Sequence, residues 1–176
     1  MSAKKKSKPA PAAAAASKER RASKDRRAPS PPLGLDLTIA AVGLRELSLR
    51  ELPQTTATGR RILGLPIPQV NMSLNAALDF PEERAATLTL SATVVDGAPE
   101  PIVELTVRVS AVFLFQEGVS KRDVADYLNR MGGGIVFPYI RETVHSVMAR
   151  SIFGTILLPP TIVTPLFTDA QLSTIV

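Results

Sequence analysis

Apolar and polar residues alternate along three segments in the middle of the chain, with the two-residue period of a β-strand. The apolar positions run through residues 70–80, 86–94 and 103–113, and Asn, Ser, Thr, Glu and Arg fill most positions between them. Asp96-Gly97, ahead of the third segment, is a common turn pair. Clean alternation is typical of antiparallel strands with one face on the core and the other in water, so we predict an antiparallel sheet.

A further strand is predicted earlier in the chain, from about Leu35. Its apolar alternation over residues 37–41 changes phase after Gly43 and resumes at residues 47–49. A β-bulge shifts the phase of a strand by one residue in this way. We therefore predict a long first strand with a bulge at Gly43.

Helical signals replace the alternation after the last strand. Ser120 suits the N-cap of a short helix that runs to Met131, and Gly132-Gly133-Gly134 is predicted to end it. A longer second helix is predicted to begin at Pro138, because proline is tolerated in a first turn, and Gly154 is expected to stop it. The longer helix has one apolar stripe at helical spacing, formed by Ile140, Val144, Val147 and Met148.

The order of the predicted elements defines the fold class. Four strands are followed by helices, and this order is typical of an α+β fold with the helices segregated to one side of the sheet. We therefore predict a four-stranded antiparallel sheet with a long C-terminal helix packed on one face.

Composition argues against most kinds of catalytic site. The 176 residues include no cysteine, and the single histidine is His145, within the longer helix. Gly132-Gly133-Gly134 is not followed by the Lys-Ser/Thr pair of a phosphate-binding loop. Asp123 and Asp126 adjoin basic residues on a helix face that we expect to be solvated. We expect no enzyme here, with no catalytic residue, no metal site and no cofactor.

The positive charge of the chain is concentrated at its N-terminus. Residues 1–32 hold ten Lys and Arg against two acidic residues, a balance of +8, whereas the whole chain has a net charge of +5, which leaves −3 for the remainder. This composition cannot bury enough apolar surface to fold, so we predict a disordered basic tail at 1–33 and a folded domain at 34–176. The tail is either a basic arm that contacts nucleic acid, the ribosome or acidic lipid, or a solubilising extension.

Hydropathy indicates a cytoplasmic location. No stretch reaches the roughly 20 apolar residues needed to span a bilayer. The alanine run at residues 12–16 is too short and too weakly apolar for the core of a signal peptide. We therefore expect the protein to stay in the cytoplasm.

One part of the chain resembles a known family. The segment VFPYIRE at residues 136–142 is followed by VMAR at 147–150, Phe153, Leu158-Pro159-Pro160 and Leu166-Phe167. This combination resembles the SecB family of export chaperones, in which a nearly identical Phe-Pro-Tyr-x-Arg-Glu run opens the main helix. The resemblance is specific at the helix, agrees over the strands in spacing and alternation, and does not extend to the basic tail.

The resemblance implies an ATP-independent chaperone, or holdase. Such proteins bind unfolded preproteins in apolar grooves and keep them competent for translocation by the SecA motor. They assemble as a dimer of dimers, with the long helices between the dimers. The client groove would be lined by Val112, Phe113, Phe115, Tyr127, Phe137 and Phe167, although the phenylalanines also fit an ordinary core. The helix face between dimers would comprise Tyr139, Thr143, Ser146 and Arg150.

The implied docking patch for the motor departs from the family pattern. The resemblance implies a flat acidic patch, in which Glu46 occupies one position and Glu104 lies near another, whereas Arg50 and Thr106 replace acidic residues. The segment after Asp169 leaves room for only a stub of the family's second helix. Two alternatives to an export chaperone therefore stay open. One is a SecB-like chaperone dedicated to a single client, such as an antitoxin, and the other is a nucleic-acid-associated protein acting through its tail.

Overall fold

Four antiparallel strands form a sheet, and two helices follow them in the chain. The computed structural model describes residues 35–53, 70–97, 101–162 and 165–175, so the predicted tail at 1–33 lies outside the described residues. The elements of this part are β1 (Leu37–Glu51), β2 (Val70–Glu82), β3 (Ala85–Asp96), β4 (Val103–Phe115), α1 (Lys121–Ala149) and α2 (Asp169–Ile175). Strand order is β1-β4-β3-β2, and the predicted α+β fold is confirmed.

The two central strands carry the core. β3 and β4 pair from Ala85 opposite Leu114 to Val95 opposite Glu104, and α1 packs on one face of this pair. β2 joins β3 through a tight turn at residues 83–84, and β1 pairs with the other side of β4. The core-facing residues of the central strands are 0–2% exposed, namely Ala86, Leu88, Leu90, Ala92, Val94, Val103, Leu105, Val107, Val109, Ala111 and Phe113. β1 and β2 are therefore the edges of the described sheet.

β1 contains two irregularities, and neither lies at Gly43. The register against β4 shifts between Ile39 and Ala41 and again between Leu44 and Glu46, while Gly43 pairs regularly with Ser110. The predicted bulge at Gly43 is therefore wrong in position. Each extra residue reverses which positions face the core, so the two irregularities divide β1 into three stretches of alternation. Six apolar side chains from these three stretches share one face. These side chains belong to Leu37, Ile39, Val42, Leu44, Leu47 and Leu49.

α1 is one unbroken helix, so the prediction of two helices separated by Gly132-Gly133-Gly134 is wrong. Two of these glycines lie at close contacts instead of at a helix end. A Cβ on Gly132 would lie 2.4 Å from Leu88 Cδ2, and a Cβ on Gly133 would lie 2.9 Å from Ile162 Cδ1. The missing side chains therefore allow α1 to lie close to β3 and to the segment that follows the helix.

The ends of α1 are set by local hydrogen bonds. Ser120 is the N-cap, as predicted, and its Oγ accepts a hydrogen bond from the backbone N–H of Asp123 at 3.1 Å. The helix ends at Ala149 with Arg150 as its C-cap, so Gly154 does not stop it as predicted. Gly154 has a φ of 94° and lies in the irregular segment beyond the helix.

Pro138 lies inside α1, where the sequence predicted the start of a helix. A proline within a helix has no N–H to donate to the carbonyl four residues earlier, which here belongs to Gly134. Gly134 is exposed, so water can hydrogen-bond to that carbonyl. This exposure reduces the cost of a proline in the middle of the helix.

A buried asparagine fastens the C-terminal segment to α1. Asn129 is 7% exposed, and its Oδ1 accepts a hydrogen bond from the Phe167 N–H at 2.7 Å. Its Nδ2 donates to the Phe167 carbonyl at 3.2 Å, and its own backbone carbonyl accepts from the Leu166 N–H at 3.1 Å. The side-chain amide thus satisfies both backbone groups of Phe167, which is itself 5% exposed.

Two alanine substitutions test the close packing of α1. A Cβ on Gly134 meets no atom within 4 Å, so Gly134→Ala should raise the free energy of unfolding by about 1 kcal/mol through helix propensity alone. Gly132→Ala gains the same propensity but presses on buried Leu88, so we expect it to be less stable than Gly134→Ala by about 1 kcal/mol or more. Denaturant titration measures both values. Equal stabilisation by the two substitutions would contradict the close contact.

Substitution of Asn129 tests the clamp on the C-terminal segment. Asn129→Leu keeps a similar shape but leaves the buried N–H and C=O of Phe167 without their partner, so we expect a loss of about 2 kcal/mol in stability. The amide hydrogens of Leu166 and Phe167 should exchange faster with solvent. Arg130→Ala, an exposed neighbour on the same helix, is the control and should change neither quantity. Unchanged exchange in Asn129→Leu would show that the clamp contributes little.

Candidate functional site

An uncovered row of apolar side chains lies along the outer strand of the sheet. We call it the β1 apolar row, and it consists of Ile39, Leu44, Leu47 and Leu49, which are 45%, 51%, 45% and 37% exposed. The half-buried Leu37 and Val42 lie on the same face between and beside them. A row of this length on a free edge strand is typical of a surface that another polypeptide covers.

The β1 apolar row is exposed because α1 packs over β3 and β4. Leu44, Leu47 and Leu49 lie on the same face as their register partners on β4, and those partners are 0–2% exposed. β1 lies one strand further from the helix than β4 does. Its apolar residues therefore continue the core surface outward to a place where the described part of this subunit has nothing to cover them.

The structure locates four of the six predicted groove residues in the core. Phe113, Phe115, Phe137 and Phe167 are 1–6% exposed, so in this single subunit they offer almost no surface to a client. Val112 and Tyr127 are half-buried. Val112 points to the opposite face of the sheet, away from α1, because its neighbours Ala111 and Phe113 face the core. Client contact stays a prediction for all six, with an accessible surface only at Val112 and Tyr127.

The predicted subunit-contact residues share one outer face of α1. Tyr139, Thr143, Ser146 and Arg150 recur at spacings of three and four residues, and Tyr139 is 44% exposed. The Thr143 hydroxyl donates a hydrogen bond to the Tyr139 carbonyl at 2.8 Å, so Thr143 presents mainly its methyl group outward. Their role in assembly stays a prediction.

A shallow hollow beside this helix face contains further apolar surface. It has a volume of about 450 Å³ and is lined by Pro138, Arg141, Glu142, His145, Ile156, Leu157 and Leu158. Leu157 is 74% exposed and Ile152, in the turn after α1, is 63% exposed. The region that follows the long helix therefore also leaves large apolar side chains in solvent.

The open face of the sheet, opposite α1, carries acidic residues that are paired with basic ones. The Glu46 carboxylate lies 3.3 Å from the Arg108 guanidinium, and Glu104 stands opposite Arg50 in the β1–β4 register. Both predicted motor-docking residues therefore lie on one face, and their docking role stays a prediction. Each has an arginine as its cross-strand neighbour, which reduces the negative potential of the patch.

Asp123 and Asp126, near the start of α1, each have a structural partner. The Ser120 hydroxyl donates to Asp123 Oδ2 at 2.7 Å, and Arg122 lies 3.5 Å from Asp126. Asp123 therefore takes part in the cap of α1, and Asp126 forms an ion pair along the same helix. Over the described ranges, no group of three or more His, Cys, Asp or Glu side chains is placed to hold a metal ion.

None of the helices in the described part of the chain is both long enough and apolar enough to cross a membrane.

Sequence reasoning missed the β1 apolar row and placed the exposed apolar surface in the C-terminal half. The signal was present in the alternation of β1. Its apolar side chains add to those of the other strands, and the combined apolar face is wider than one helix can cover. The two bulges hide this signal in the sequence, because the alternation reverses at Ala40 and reverses again shortly afterwards at Arg45. Arg45 was not singled out either, and it is the unpaired residue of the second bulge on the open face.

The chain matches one family over most of its length. The family profile described as preprotein translocase subunit SecB matches residues 33–173. The protein-export protein SecB of Pseudomonas fluorescens is 32% identical over 132 residues, which are 72% of this chain and 77% of that protein. The protein-export protein SecB of Aromatoleum aromaticum is 28% identical over 124 residues, which are 70% of this chain and 76% of that protein.

A solved structure shares the fold. The SecB-like chaperone of Mycobacterium tuberculosis, in complex with a peptide from an antitoxin, aligns with a TM-score of 0.57 at 16% identity. The alignment covers 73% of this chain and 91% of that chain. At this identity the likeness concerns the fold alone, whereas the profile match and the sequence identity to SecB proteins establish the family. The chain belongs to the SecB family.

Proposed function

We propose that this chain is a molecular chaperone of protein export, which binds unfolded preproteins and keeps them competent for translocation without ATP. The observation that carries the proposal is the SecB match over residues 33–173. Apolar surface that stays in solvent after α1, at Ile152 and Leu157, supplies the physical basis, because affinity for many unfolded chains needs apolar contact and accessible backbone and requires no reaction. The cytoplasm is the proposed location, where preproteins await translocation.

We also propose that the working form is a homo-oligomer, a dimer of dimers, in which a second copy covers the β1 apolar row. Complete burial of a leucine contributes about 2 kcal/mol, so covering the exposed half of each of these side chains contributes about 1 kcal/mol. The row alone then supplies about 4 kcal/mol per subunit, or about 8 kcal/mol for a symmetric pair, which lies within the range of the cost of association. Contacts elsewhere are needed too, and the outer face of α1 around Tyr139 is the proposed second contact.

A chaperone dedicated to one client, such as an antitoxin, is the second candidate. The open face favours it, because arginines beside Glu46 and Glu104 leave little net negative charge on the predicted docking patch for the SecA motor. The fold is also shared with a SecB-like chaperone that was solved with an antitoxin peptide. A direct binding measurement with SecA separates the two candidates. The basic residues before Leu33 lie outside the described residues, and the proposal gives them no function.

Suppression of aggregation tests the chaperone proposal. We expect the purified protein to prevent light scattering by a chemically unfolded client at about one assembly per client chain, because apolar contact alone provides the affinity. Addition of ATP should not change the result. A folded protein of similar size without exposed apolar surface is the control. Aggregation as fast as in this control, or protection only with ATP, would contradict the proposal.

Charge placed in the β1 apolar row tests the assembly. Leu47 and Leu114 are 45% and 44% exposed but lie on opposite faces of the sheet, so they form a matched pair. We expect Leu47→Glu to lower the molar mass measured by light scattering, because a charge would be buried under the second copy. Leu114→Glu should keep the mass of the wild-type protein. Equal masses for the three proteins would refute a subunit contact at the row.

A further inference from the structure

A second hollow lies on the open face of the sheet, away from the β1 apolar row and from α1. Its volume is about 520 Å³, and we call it the basic hollow. It is lined by Arg45, Asn75, Ala76, Ala77, Thr89, Ser91, Arg108 and Ser110. These residues come from all four strands, so the hollow is a feature of the assembled sheet.

Small side chains form the floor of the basic hollow. Ala77 stands opposite Thr89, and Thr89 stands opposite Ser110, so three neighbouring strands each contribute a short side chain. The Thr89 and Ser110 hydroxyls are 2.8 Å apart and hydrogen-bonded to each other. The floor is therefore low and polar, and its hydroxyl groups have further hydrogen-bonding capacity for a ligand.

Two guanidinium groups stand beside this floor. Arg45 is the extra residue of the second β1 bulge, and it lies on the open face because its neighbour Leu44 points to the core side. Among the residues that the structure describes, Arg45 is exposed and makes no ion pair. Arg108 lies 3.3 Å from Glu46 and is half-exposed, so it can contact a ligand while that pair persists.

The charge around the hollow selects the kind of ligand. Arg45, Arg108 and Glu46 together carry a local charge of +1. A guanidinium forms a planar, bidentate pair with a carboxylate. Glu46 and Glu104 lie between and beside the arginines on β1 and β4, so a continuous row of phosphates would meet repulsion at both. Separate carboxylates on an extended peptide can contact the arginines and avoid the acidic residues.

We propose that the basic hollow binds an acidic segment of a partner protein, through carboxylates placed on Arg45 and Arg108. The chain's own N-terminal tail is a poor occupant, because residues 1–32 carry a charge of +8. The surface lies on the face opposite the β1 apolar row, so the partner could be held while that row is covered by a second copy or a client. The proposal does not depend on the proposed function.

The first experiment measures the affinity of a fluorescent peptide of about ten residues, rich in Asp and Glu, for the full-length protein. We expect Arg45→Glu to weaken binding about tenfold and Arg122→Glu, the same charge change on α1, to leave it unaltered. Thermal unfolding should change little in either variant, because Arg45 is exposed and the pair with Asp126 that Arg122→Glu removes is also exposed. A lysine-rich peptide that binds more tightly, or a single-stranded oligonucleotide that binds more tightly through Arg45, would overturn the proposal.

A second experiment locates the bound peptide, because the basic tail also attracts acidic peptides in every variant. A photoreactive form of the peptide should cross-link to β1 near residue 45 and to β4 near residue 108 in the wild type and in Arg122→Glu. Arg45→Glu should retain only cross-links to residues 1–32. Wild-type cross-links confined to residues 1–32 would overturn the proposal. Suppression of aggregation should be intact in Arg45→Glu, which distinguishes failure of this site from failure of the chaperone function.

Discussion

One helix is too narrow to cover a four-stranded sheet, and the rest of the structure follows from this mismatch. Four strands at a spacing of about 4.8 Å are roughly 14 Å wide between the outer backbones, whereas a helix with its side chains is about 10 Å wide. α1 packs over the two central strands, whose core-facing side chains are fully buried. The apolar face of β1 is left over, and this remainder is what makes the subunit suited to binding another polypeptide.

Local features of the sequence maintain this arrangement. The two bulges of β1 keep six apolar side chains on one face and bring Arg45 to the other. Gly132 and Gly133 let α1 lie close to β3 and to the segment that follows the helix. The Asn129 side chain fastens that segment to α1. The same strand therefore presents an apolar surface on one side and a charged, polar surface on the other, which allows two different kinds of partner.

The sequence predicted the strands, their antiparallel pairing and the fold class, because alternation reports directly on a sheet with one wet face. It failed where packing decides the outcome. A glycine triplet ends a helix in most settings, but here two of the three lie inside a helix at close contacts, Gly132 with Leu88 and Gly133 with Ile162. For Phe113, Phe115, Phe137 and Phe167 the sequence left both a groove and a core open, and in this single subunit they are buried. Which strand stays uncovered depends on the strand order, and no local pattern reveals that order.

The most direct test of this account is the accessibility of the β1 apolar row in the intact protein. The natural chain has no cysteine, so a single cysteine is a unique reporter. Leu47→Cys should react slowly with a maleimide at concentrations where the protein is assembled, and faster on dilution, while Leu114→Cys on the opposite face should react quickly throughout. Rapid labelling of Leu47→Cys at every concentration, equal to that of Leu114→Cys, would contradict the claim that another copy covers this row.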